Sequence, residues 1–193
     1  TYKNAANIMP CLNAHMYNIW YPIAYLMKEP GARIWSVPDT ILILPFLQAR
    51  TLAIFLAVGS IVAYLVLISS KSQLQKDNFA ILPAITFSSF AVPFLMTSAH
   101  ENHLFLSVVL LMLMAVHYKN IWFRSALIVL VLIQYINIAC LYGQEKTSLF
   151  IKAALDGYGD PVRITLAVFS LVPMSLIYHF MFRIALKPDL QTK

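Results

Sequence analysis

Apolar residues in this chain come in long runs, and the polar residues between them come in short clusters. A helix needs about 20 mostly apolar residues to cross the hydrocarbon core of a bilayer. Thr51–Ser69 meets that requirement, with Arg50 before it and Lys71 after it. Phe79–Thr97 meets it too, with kinks expected at Pro83 and Pro93, as do Ser125–Tyr142 and Ile164–Leu186, the last with a kink near Pro173. Leu104–His117 is short and crosses only if flanking residues are also helical. A sixth stretch, Ile8–Met27, is apolar overall but carries Asn13, His15, Asn18, Pro10 and Pro22. That polarity predicts a broken, re-entrant or cavity-lining helix. Ile41–Leu47 is too short to span; it either leads into the Thr51 helix or lies at the interface.

Polar segments separate the runs. Lys28–Thr40 is irregular, Ser70–Asn78 is short and polar, and Tyr118–Arg124 is a basic turn. Gly143–Arg163 is the longest loop and ends in "DGYGDP", which predicts tight turns. There is no internal repeat and no low-complexity tract. The fold class predicted is all-α: a polytopic membrane bundle of five to six transmembrane helices, forming a single domain over residues 1–193.

Composition strengthens that reading. The chain is 60% hydrophobic and 11% charged, against roughly 25% charged in soluble domains. The net charge of +6 comes from residues flanking the apolar runs, and no basic patch with interleaved aromatics is present, so nucleic acid is not an expected partner. Cys11 and Cys140 both lie in apolar stretches, which predicts packing and not a disulfide framework.

Lys and Arg counts set the orientation. With five alternating spans, Lys71, Lys76, Lys119, Arg124, Lys187 and Lys193 share one side, with Arg183 near its boundary. Arg50, Lys146, Lys152 and Arg163 share the other. The first side is the expected cytoplasmic one. The His100–His103 turn and the Gly143–Arg163 loop then face outward, in a plasma membrane or an ER-type membrane.

The densest polar knot is "HENH", His100 to His103, set between apolar runs. Four readings compete for it. It is a solvated turn between spans, a metal site, a proton relay, or a recognition element for an anionic head group. The metal reading is the poorer fit, because His100 and His103 are three apart where the familiar two-His helix pattern needs four. The relay lacks acids and bases in the other spans; Gln134 and Asn137 are the main polar residues there. For the head group, imidazole donates hydrogen bonds to phosphate, and Glu101 orients the imidazole or binds a sugar hydroxyl.

Two further polar groups stand out. Asn13, His15, Asn18 and Trp20 either bond helix to helix inside a bundle or line a cavity. Trp20, Tyr21 and Tyr25 equally suit an interfacial aromatic belt. Asp156 and Asp160 are four apart and offer a divalent-cation or acid/base pair, the one cofactor the sequence leaves open. Gly157, Gly159 and Pro161 favour a solvated turn there instead. Arg163 either pairs with a lipid phosphate or anchors its helix at the interface.

"FLMTSAHENHLFLSVVLLML" resembles the signature of the C-type glycosyltransferases, polytopic enzymes that use polyprenyl- or dolichyl-phosphate sugars. In that family a span ends in a turn reading roughly His-Glu-Arg or His-Glu-Lys, followed by an apolar helix. His100 and Glu101 match, and Asn102 departs from the basic residue. "LNAHMYNIWYPIAYL" resembles the "NAxNxW" pattern upstream of that turn in the mannosyltransferase-like branch. Asn13, Ala14, Asn18 and Trp20 match, with one extra residue between the two asparagines. The resemblance covers the chain as the C-terminal half of such an enzyme. The start at Thr1, with neither an initiator Met nor a signal peptide, gives the same expectation.

The resemblance implies transfer of a sugar, mannose in that branch, from a polyprenyl-phosphate donor to an extracytoplasmic acceptor. His100 would contact the donor phosphate and Glu101 would position it or the sugar. Asn13 and Asn18 would line the cavity, with His103, Trp20 and Arg163 as further substrate-binding candidates. The family's catalytic acid lies in a first extracytoplasmic loop that these residues do not contain, so no catalytic residue is assigned. The expected partners are membrane lipids, the donor lipid and another membrane chain. The alternative function is a non-catalytic membrane subunit or scaffold of a larger complex.

Overall fold

The computed structural model describes residues 10–14, 16–70, 81–99, 103–142 and 159–186, with the backbone alone at 139–142 and 159–160. A short helix α1 (Trp20–Met27) and a 3-10 turn (Ile34–Ser36) lead to a small hairpin, β1 (Leu42–Leu44) and β2 (Leu47–Gln48). Five longer helices follow: α2 (Ala49–Ser69), α3 (Ile81–Leu95), α4 (Leu104–His117), α5 (Ile121–Tyr142) and α6 (Gly159–Leu186). Three of them, over Ala49–Ser69, Ile121–Ile138 and Pro161–Leu186, are long and apolar enough to cross a membrane. α3 and α4 are apolar but shorter, at 15 and 14 residues.

From α2 onward each helix packs on its successor in sequence, and α6 closes back against α1, α2 and α3. The centre of the bundle is aromatic. Tyr64 of α2 stacks on Phe87 of α3 at 4.1 Å, and Phe182 of α6 meets both rings edge-on at 5.6 and 5.2 Å. The outside is apolar as well: only 22% of α2 is buried, and Phe55, Val58, Val62 and Val66 face outward. Water penalises such a surface at about 25 cal/mol per Å², whereas hydrocarbon does not, so the exposed face fits an integral membrane protein.

Prolines and caps explain where the helices begin and bend. Pro22 is the third residue of α1, where the missing N–H has no intrahelical acceptor in any case. Pro93 does lie inside α3. It cannot donate to the carbonyl of Ser89, and the Ser107 hydroxyl of α4 donates there instead at 2.6 Å. Asn120 caps α5 by accepting from the Phe123 N–H at 3.0 Å, while Arg124 Nε returns to the Ala115 carbonyl of α4 at 2.9 Å.

Within Ile8–Met27 the described residues are helical only from Trp20; residues 16–19 lead in without helix, although they are almost wholly buried, in keeping with a broken helix. Ile41–Leu47 forms most of a β-hairpin that runs directly into α2. One expectation needs correction: Gly159–Arg163, the end of the segment expected as a loop, is helical.

Candidate functional site at one end of the bundle

The irregular segment before α1 enters the bundle where the start of α2 meets the end of α3. Leu12, Asn13, Met16 and Asn18 have no exposed surface there. Non-helical backbone survives at such depth only if its polar groups are paired within the protein. Leu12 N–H donates to Val37 at 2.7 Å and Asp39 N–H to Pro10 at 3.2 Å. The Ser98 hydroxyl donates to the Cys11 carbonyl at 2.8 Å, and that of Ser170, on α6, to the Tyr17 carbonyl at 2.7 Å. Ala49 and Ala53, one turn apart on α2, leave the room for this close approach.

Asn18 organises the segment. Its amide donates to the carbonyls of Pro93 and Met96 at 3.1 and 3.0 Å, at the end of α3. Its carbonyl oxygen accepts from Asn13 Nδ2 at 2.7 Å and from the Trp20 N–H at 3.0 Å. Trp20 Nε1 adds a bond to the Leu95 carbonyl at 2.6 Å. The last carbonyls of a helix lack intrahelical donors, so these two side chains cap α3 from a segment more than 70 residues upstream. Asn13, Asn18 and Trp20 thus direct their side-chain donors to protein atoms.

The same contacts bring the upstream "NAxNxW"-like segment against the stretch that leads into the polar knot. Only four residues separate Leu95 from His100. His100, Glu101 and Asn102 lie outside the described residues, as do His15 and Asp156, and the side chain of Asp160. His103 is exposed at the start of α4. Arg163 is half-buried in the first turns of α6. Among the described residues no group of three His, Cys, Asp or Glu side chains can hold a metal.

Sequence reasoning missed a second polar centre at this end. Asp39 is the one buried charged side chain among the described residues, at 2% exposure. Arg50, at the start of α2, grips it with both prongs of its guanidinium, Nε to Oδ2 at 2.7 Å and Nη2 to Oδ1 at 2.8 Å. The Arg50 N–H also donates to the Asp39 carbonyl at 2.9 Å. Ser98 Oγ lies 3.5 Å from Asp39 Oδ2. Its backbone is left-handed, with φ of 55°, a conformation that costs a non-glycine residue about 1–2 kcal/mol. Cys11 packs beside the pair, bridged to Pro38. The available signal was a lone acid in the apolar run "SVPDTILILP", followed by a lone base where a span begins.

Gln134 offers no polar path across the bundle. Its carboxamide makes no hydrogen bond, and it lines an apolar groove of about 160 Å³ between α4 and α5, with Leu104, Val108 and Val131.

No family model, curated protein or solved structure matches this chain.

Proposed function

We propose that this chain is the donor-binding membrane module of a glycosyltransferase resembling the C-type enzymes. It would span the membrane with five to six helices and use a polyprenyl-phosphate sugar, with mannose as the group transferred, on the extracytoplasmic side. One observation supports the reading: Asn18 and Trp20 bond to the Met96 and Leu95 carbonyls at the end of α3, so the upstream motif packs against the stretch that precedes His100 in sequence. In this reading Asn13, Asn18 and Trp20 build the face, and His100, Glu101, His103 and Arg163 meet the donor. Charge on the departing phosphate is then stabilised by preoriented donors in a water-poor site.

The test is sugar transfer by the protein in native membranes. A hydrogen bond to a charged group is worth roughly 1.5–3 kcal/mol, so His100→Ala lowers transfer about 10- to 150-fold at limiting donor. His103→Ala does less, and Asn102→Ala is nearly silent. Full transfer by His100→Ala, or an equal loss of expression in all three, defeats the reading. A non-catalytic membrane subunit is the second reading. It draws on the same bonds, since Asn13, Asn18 and Trp20 have spent their donors on protein atoms. Intact expression with no donor consumption, together with a co-purifying membrane chain, would favour it.

A further inference from the structure

We propose that Asp39 and Arg50 are positioning residues, a latch that fixes Ser98 and thereby the turn that leads into His100. The inference rests on the reading of that turn as the donor site.

Asp39 is poorly suited to be a base. Both carboxylate oxygens are held by one guanidinium, and the side chain is 2% exposed. A bidentate Arg–carboxylate pair is instead a rigid joint with a defined direction. This joint links four pieces of chain. Arg50 belongs to the first turn of α2, and Asp39 to the strand-like segment before the hairpin. The Asp39 N–H ties in Pro10, beside Cys11, whose carbonyl accepts from Ser98. Ser98 sits between α3 and α4 with Asp39 3.5 Å from its hydroxyl.

The strained backbone makes the joint necessary. A serine with φ of 55° relaxes unless its surroundings hold it. Ser98 is held by the Cys11 carbonyl, which accepts its one hydroxyl proton, and the neighbouring Pro10 carbonyl is tied to the Asp39 that Arg50 grips. One residue, Ala99, separates Ser98 from His100. A shift in its φ therefore swings the chain direction just before the proposed phosphate contact. Removing one member of a buried pair also leaves the other charge uncompensated, which magnifies the displacement.

Cys11 supplies a readout independent of activity. It is 5% exposed and packs inside the joint, so opening the latch uncovers it. The experiment uses the full-length protein in membranes with Cys140→Ala, and follows maleimide alkylation of Cys11 beside the transfer kinetics. Arg50→Gln, which leaves the charge of Asp39 beside the thiol and so does not itself activate Cys11, should speed alkylation about tenfold and raise the donor KM by a similar factor, with kcat changed less than about twofold, since the defect lies in placing the phosphate contact. Arg50→Lys keeps the charge but loses the fork, and should fall between. The double variant Asp39→Asn with Arg50→Gln removes both charges, and should recover much of the slow alkylation. Unchanged alkylation in Arg50→Gln overturns the latch. Fast alkylation with an unchanged donor KM, where His100→Ala cripples transfer, overturns its positioning role. If His100→Ala proves silent, the donor-site reading fails, and the positioning role with it, whereas the alkylation rates still decide whether Asp39 and Arg50 hold the joint.

Discussion

At the scale of single residues, Asn18 and Asn13 look alike in sequence but carry different loads. Asn18 takes part in four hydrogen bonds, two of them to carbonyls at the end of α3. Asn13 donates to Met16 and Asn18, and its own carbonyl oxygen is buried without a partner. Asn18→Ala therefore strands two buried acceptors and the Asn13 donor, at about 1–3 kcal/mol for each group left unsatisfied. Asn13→Ala removes an unsatisfied oxygen along with its donors and costs less. Thermal unfolding in detergent should show a clear drop in midpoint for Asn18→Ala and a smaller one for Asn13→Ala. Equal losses would mean that the α3 carbonyls find other donors. The sequence made these polar residues visible, because each is conspicuous in an apolar run. It did not reveal their acceptors, because backbone carbonyls more than 70 residues away leave no mark in side-chain spacing.

At the scale of elements, the helices were legible where length and apolarity agree, as in Thr51–Ser69, which lies within α2. Pro173 lies inside α6 and Pro93 inside α3, at two of the positions where kinks are expected. The structure answers Pro93 with Ser107 of α4. This pairing predicts coupling. Ser107→Ala should cost about 1 kcal/mol when Pro93 is present, since the Ser89 carbonyl then loses its donor. In a Pro93→Ala background the helix supplies its own N–H, and Ser107→Ala should be nearly neutral. A double-mutant cycle on unfolding free energy measures the difference; additive effects would show that the Ser89 carbonyl never depended on Ser107. The Asp39–Arg50 joint was illegible in the sequence. Its partners lie 11 residues apart across a hairpin whose existence the apolar run Ile41–Leu47 did not announce.

At the scale of the whole molecule, the hydrogen bonds sort the bundle into two ends. Asp39, Arg50, Cys11 and Ser98 gather the start of α2 with the end of α3. Arg124 and Asn120 gather the end of α4 with the start of α5 at the other end. Among the described residues, Lys119, Arg124 and Arg183 lie toward the second end, and Lys28, Arg33 and Arg163 toward the first, where Arg50 is neutralised by Asp39. The proposed function expects the second end in the cytoplasm and the joint outside. With both native cysteines replaced by alanine, single cysteines at Asn102 and Gln73 test this in intact cells. A membrane-impermeant maleimide should label position 102 directly and position 73 only after permeabilisation. Labelling of 73 alone from outside would put the His100 turn in the cytoplasm. An isoprenoid-phosphate donor presented on the outer face could not reach it there, and the proposed function would fail even with every bond around Asn18 intact.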